Sequence, residues 1–287
     1  MTRINMGESV RARLLNITKQ TKSLDFQIVL MRFMLERLLY RMGQSNYSQQ
    51  FLLKGAMLFA LWYNMPHRTT IDMDLLAFGD NDLLIMKKTF QEIIKIPFED
   101  GVIFDAANIK VERILEETSY VGVKVTIPAE VAKAKCNLQI DIGFGDAVTP
   151  GPVESTYPTL IKDFPAPQLH TYPVYTVVAE KLHAIAFHGV NNSRVKDYLD
   201  LLVILERETL DKNILSKAIS ATFVRRGSVI SATPLVGLSD GFANNPLKQT
   251  IWRSFLKRNK LPEKPFPVVV HTLRNKLQPI LNQVAVE

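Results

Sequence analysis

The chain has 287 residues, 47% of them hydrophobic and 22% charged, with 35 Lys/Arg against 28 Asp/Glu. That balance is ordinary for a globular protein able to bury a large core, as one extended domain or two. A single cysteine, Cys136, excludes an internal disulfide and fits a reducing compartment. With no secretion signal and no apolar run long enough to span a bilayer, the expected location is the cytoplasm, away from any membrane.

Residues 1–50 read as helical. Val10, Leu14, Ile17 and Leu24 recur at roughly helical spacing, and Phe26–Leu39 repeats the pattern, which predicts Arg32, Arg37 and Arg41 on more exposed faces. Ser45–Gln50 is a polar link. Phe51-Leu52-Leu53 is a short apolar run ending at Lys54-Gly55-Ala56, and the apolar residues up to Tyr63 predict a helix. Such a junction turns backbone N–H groups toward an anion.

Asp72 and Asp74 then sit inside a second apolar run. On a strand both carboxylates project to one face, while Ile71, Met73 and Leu75 face the core. Two like charges so close repel each other and are costly to desolvate, so a cation is expected there. Carboxylate oxygens on a rigid strand suit magnesium. Gly79-Asp80-Asn81-Asp82 predicts a turn and N-cap for a helix over Leu83–Ile96.

After Pro97 the pattern turns β-like, with runs at Val102–Phe104, Ile109–Ile114 and Val121–Ile127. Asn137–Phe144 alternates Leu138, Ile140 and Ile142 with Gln139, Asp141 and Gly143. Asp141 is thus expected on a polar face and, if the strands are neighbours, beside Asp72 and Asp74. Three carboxylates in that arrangement can hold two metal ions, roughly 3.5–4 Å apart. Ala147–Pro173 holds six of the fifteen prolines and reads as an extended crossing. Helices are expected over Thr176–Phe187, Arg194–Glu206, from Asp211 or Ser216 to Phe223, over Lys248–Asn259 and over Val268–Val284. The histidines lack zinc-site spacing.

These residues resemble a known pattern. Gly55-Ala56, Asp72-Met73-Asp74 and Asp141 resemble the polymerase-β-like nucleotidyltransferase signature. Three stretches, 53–76, 138–152 and 177–204, look more narrowly like the AbiEii/AbiGii toxin family of nucleotidyltransferases. The resemblance implies an α+β fold, a polymerase-β-like core with a mixed sheet flanked by an N-terminal helical segment and a C-terminal helical domain. The expected divisions are 1–50, 51–150 and 151–287.

Residue by residue, the resemblance makes Gly55 and Ala56 the phosphate turn. It makes Asp72, Asp74 and Asp141 the metal-binding carboxylates. Lys181 becomes the cation on the nucleotide phosphates and Asp197 the aspartate of the last motif. Ala56 stands where a second glycine or a serine is usual. The implied cofactor is magnesium, two ions, with a nucleoside triphosphate as substrate. The implied role is the toxin of a toxin–antitoxin or phage-defence pair, with tRNA as acceptor and an antitoxin encoded nearby. Alternatives are transfer to a small molecule or a protein, or a non-catalytic nucleotide- or RNA-binding module.

Charge adds a separate reading. Residues 51–180 carry 11 Lys/Arg against 17 Asp/Glu, whereas residues 181–287 carry 16 against 8. Arg225-Arg226 and the group Arg253, Lys257, Arg258 and Lys260 are equally compatible with RNA phosphates and with a solvated face.

Overall fold

The computed structural model describes residues 5–21, 25–63, 70–115, 121–230 and 234–285. Leu24 and His67 lie outside them. The described chain has ten α-helices and an eight-stranded mixed sheet, and it divides into two compact units. One comprises residues 1–145 and 153–171, the other residues 146–152 and 172–287. No described helix is long and apolar enough to cross a membrane.

The first unit opens with α1 (Met6–Gln20) and α2 (Phe26–Gly43), each started by an Asn or Asp side chain that accepts from the first turn. The chain continues through β1 (Phe51–Lys54), a 3₁₀ turn at Gly55–Met57, α3 (Leu58–Tyr63), β2 (Asp72–Ala77) and α4 (Leu83–Ile94). Asp82 caps α4 by accepting from the N–H groups of Leu84 and Ile85. Next come β3 (Val102–Phe104), β4 (Lys110–Leu115), β5 (Val121–Val131), β6 (Ala134–Phe144), β7 (Val153–Thr156) and β8 (Gln168–Thr171). The sheet order is β3-β5-β6-β2-β1-β8-β7, with β4 also on β5. β2 and β6 run parallel; β1 and β5 flank that pair antiparallel.

One face of the sheet is a closed core. Leu53, Met73, Leu75, Ile140, Ile142, Val123 and Val125 alternate onto it and are essentially inaccessible. α2 and α4 cover this face: Gln27 meets the Cys136 thiol at 3.6 Å, and the Phe90 ring meets Phe51 at 5.7 Å. Burying these side chains drives the pairing, and a one-residue slip would expose every one of them.

Four expectations are corrected. Arg37 and Arg41 are buried, because each finds a partner far along the chain. Arg41 grips Asp100 with two nitrogens, at 2.6 and 3.1 Å. Arg37 pairs with Glu36 at 2.6 Å and donates to the Pro165 carbonyl. Arg32 is half-buried. Ile71 is exposed, since β2 starts at Asp72 and the pairing with β6 starts opposite it at Gln139. The proline-rich stretch is not simply extended: β7 and β8 form a hairpin within it, and β8 adds parallel to β1.

The second unit is helical: α5 (Val174–His188), α6 (Val195–Arg207), α7 (Lys212–Arg225), the short α8 (Asp240–Ala243), α9 (Pro246–Arg258) and α10 (Phe266–Val284). Tyr198, Phe242, Trp252 and Phe266 pack ring against ring, with neighbouring centroids 5.1–6.1 Å apart.

Candidate active site

The sheet face opposite the closed core carries charge. Direct cross-strand partners project to the same side, and one such row runs Lys54, Asp74, Asp141, Lys124 and Glu112 over β1, β2, β6, β5 and β4. Asp74 and Asp141 are thus immediate neighbours on parallel strands. Asp72 lies on the same face one pair further along, opposite Gln139, and its Oδ1 accepts from the Ile71 N–H at 3.2 Å.

Asp141 is under-satisfied. Its Oδ1 is buried and accepts no hydrogen bond; Lys124 Nζ stands 3.9 Å away, beyond bonding distance. Burial pushes the Asp141 carboxyl above its usual range; Asp72 and Glu112 push the same way, while Lys124 and Gln139 oppose them. An orphaned carboxylate oxygen beside a second carboxylate marks a place that favours a cation.

Gly55 makes room for this arrangement. Its φ of +72° is one that side-chain-bearing residues rarely adopt, and a Cβ there would come within 1.9 Å of Asp74 Oδ2. The glycine therefore lets the turn lie directly against the Asp74 carboxylate. Ala56 is buried in that turn.

Do these residues fit the implied divalent cations? Among the described residues, no three His, Cys, Asp or Glu side chains form a ready cage. Magnesium does not need one, since it takes one or two carboxylates and completes its shell with water and substrate phosphates. The Asp74–Asp141 pair with its orphaned oxygen fits that open mode, with Asp72 next along the strand.

The other sequence-predicted residues lie in the second unit, in a different environment. Lys181 on α5 donates to Asp197 Oδ1 at 2.9 Å and to Asp200 Oδ2 at 2.6 Å, both on α6. The two carboxylates are almost inaccessible and the lysine is 12% exposed. Arg194 Nε adds a 2.8 Å bond to Asp197 Oδ2. Burial alone would raise the Asp197 pKa, but Lys181 and Arg194 outweigh it and hold the carboxyl below its usual range.

Sequence reasoning missed several charged groups. Lys54 and Lys124 flank the acidic pair, and the alternation of Val121–Ile127 already marked Lys124 as polar-face. A further network joins Arg226 to Asp146 at 3.2 Å and to Glu180 at 3.4 Å, with the Tyr172 hydroxyl donating to both carboxylates. His183, beside Arg226, meets the Ser228 hydroxyl at 2.8 Å. Burial, then Arg226, lowers its pKa to about 4. Nothing in the sequence links these positions.

The profile of the family described as nucleotidyl transferase AbiEii toxin, type IV toxin–antitoxin system, matches residues 37–278. Two solved structures from Helicobacter pylori align with the chain. One is described as a candidate nucleotidyltransferase and the other is the protein JHP933. Each is 14% identical with a TM-score of 0.46, over 92% of this chain and 96% and 99% of theirs. No curated protein matches the chain.

Proposed function

We propose, for a chain that belongs to the AbiEii nucleotidyl transferase toxin family, that it moves a nucleotide from a nucleoside triphosphate to an RNA hydroxyl, with tRNA as the acceptor. The observation that carries this reading is the pairing of Asp74 with Asp141 on adjacent parallel strands, one oxygen of Asp141 left unbonded. Asp72, Asp74 and Asp141 would hold magnesium. Magnesium held there would supply charge neutralisation and orientation at the phosphates.

The chain's own groups supply the rest. The acceptor hydroxyl attacks the α-phosphorus as the bond to the β-phosphate breaks and pyrophosphate leaves. Asp141 accepts the hydroxyl proton. Gly55 and the Ala56 N–H form the turn for the phosphates. In the second unit, family resemblance assigns a phosphate-binding role to Lys181, which Asp197 and Asp200 hold in place. A toxin of a type IV pair implies an antitoxin counterpart, and phage defence is the proposed setting.

The test is to incubate the protein with magnesium and each α-labelled triphosphate in the presence of total RNA, protein extract or small-molecule pools. Label in the tRNA band that disappears with Asp74→Asn supports the proposal. Label confined to protein or small molecules moves the acceptor to another class. Binding of triphosphate without any transfer would reduce the chain to a binding module.

A further inference from the structure

The second unit contains a cavity of about 960 Å³ between the last turns of α9, the connecting loop and the start of α10. Its floor is apolar. Trp252 and Phe266 lie there, each 1% exposed, and the indole N–H is already spent on the Lys264 carbonyl at 2.6 Å. Its rim is cationic: Arg253, Lys257, Lys260 and Lys264 line it against one acidic side chain, Glu263. Lys264 is paired with Glu206 at 3.0 Å.

Two features set this rim apart from an ordinary solvated face. Arg253, Lys257 and Lys260 recur at i, i+4 and i+7, and α9 has four cations and no acidic residue. Like charges at i, i+4 destabilise a helix, and no acidic residue of α9 relieves them. Cations favour a helix C-terminus, but Arg253 is the eighth residue of thirteen, short of that last turn.

The second feature is Lys260 itself. Leu261 N–H bonds back to the Leu256 carbonyl and Lys260 N–H to Lys257, a helix-ending motif whose left-handed residue is usually glycine. Here it is a lysine at φ +54°. The sequence keeps a cation on the rim at a position where a glycine would be less strained.

We infer that this cavity is a binding site for the phosphodiester backbone of single-stranded RNA, read by charge and not by base. The volume is at the upper end of ligand sites and accommodates more than one phosphate. Because the aromatic rings are buried, they form the floor and offer no stacking platform, so contacts are to phosphate and independent of sequence. This inference deepens the proposed function by naming a surface for the acceptor, and it rests on that reading for its biological sense.

The experiment measures anisotropy of a labelled single-stranded oligoribonucleotide titrated with the full chain, without triphosphate, over a salt series. The triple variant Arg253→Ala, Lys257→Ala, Lys260→Ala should bind about tenfold or more weakly at low salt. Its log–log salt slope should fall by about 2, at roughly 0.7 per lost phosphate contact. Lys260→Gly should also weaken binding, by less than the triple variant does. If transfer chemistry fails while RNA binding behaves as expected, only the proposed function falls. An unchanged salt slope in the triple variant overturns this site. So does binding of a polyglutamate peptide as tight as that of RNA, or displacement by free triphosphate at equal phosphate concentration.

Discussion

Two places in this molecule gather the same ingredients, two aspartates and lysine, and treat them differently. In the helical unit, Lys181 bonds both Asp197 and Asp200 at 2.6–2.9 Å, nearly out of solvent, and Arg194 completes the set. On the sheet, Lys124 stops 3.9 Å short of Asp141, and an oxygen of that carboxylate has no hydrogen bond. The first cluster is tightly bonded and ties α5 to α6. The second is looser: one oxygen of Asp141 lacks a hydrogen bond, beside Asp74 on the neighbouring strand. That contrast supports the proposal that places the chemistry on the sheet.

The comparison can be broken in four ways, in descending order of expected effect. Lys181→Met leaves buried carboxylates without their lysine and should cost about 3–5 kcal/mol in urea unfolding. Lys124→Met, at a half-exposed and loose pair, should cost about 1 kcal/mol or less. Equal losses would erase the distinction. Next, Asp74→Asn should reduce nucleotide transfer by about 10²–10³-fold or more with unfolding unchanged; a parallel loss of stability would make Asp74 structural.

Third, the two units should answer pH oppositely. In the first, burial raises the Glu36 pKa from 4.5 to about 7, with Arg37 opposing. A raised carboxyl contributes stability that is full below 4.5 and lost as pH climbs through about 7. In the second, His183 is depressed from 6.5 to about 4, so its contribution is full above 6.5 and lost as pH falls through about 4. Hydrogen-exchange protection, corrected for intrinsic rates, should therefore rise in α2 and fall in α5 on acidification between those limits. Movement of both helices in one direction would refute the assignment. The last of the four is Gly55→Ala, whose left-handed backbone costs about 1–2 kcal/mol. The added methyl must also displace Asp74, so activity should fall further than stability.

Much of this was legible in the sequence, for a physical reason. Where one face of a strand is buried, alternation exposes the pattern: Leu138, Ile140 and Ile142 against Gln139 and Asp141, or Val123 and Val125 against Lys124. Helix starts were readable where a side chain caps them, as Asp82 and Asp211 do. What stayed hidden depends on partners distant in sequence. Arg37 and Arg41 look like surface residues until Glu36 meets a bonding partner at Leu160 and Asp100 reaches Arg41. β7 and β8 are four residues each, too short to alternate visibly between prolines. The cross-sheet row Lys54–Asp74–Asp141–Lys124 needs the strand order, and the double grip on Lys181 needs the packing of α5 on α6; neither is local information.

The parallel pairing of β2 with β6 has one last consequence, for the timing of synthesis. Parallel neighbours cannot be joined by a tight turn, and here the chain makes α4 and three further strands before Asp141 meets Asp74. A ribosome that has released only the first hundred residues has produced one acid of the pair and not its partner. Truncated translation products ending before β6 are therefore chemically inert on this scheme, and the cell meets a competent toxin only once most of the sheet has been threaded.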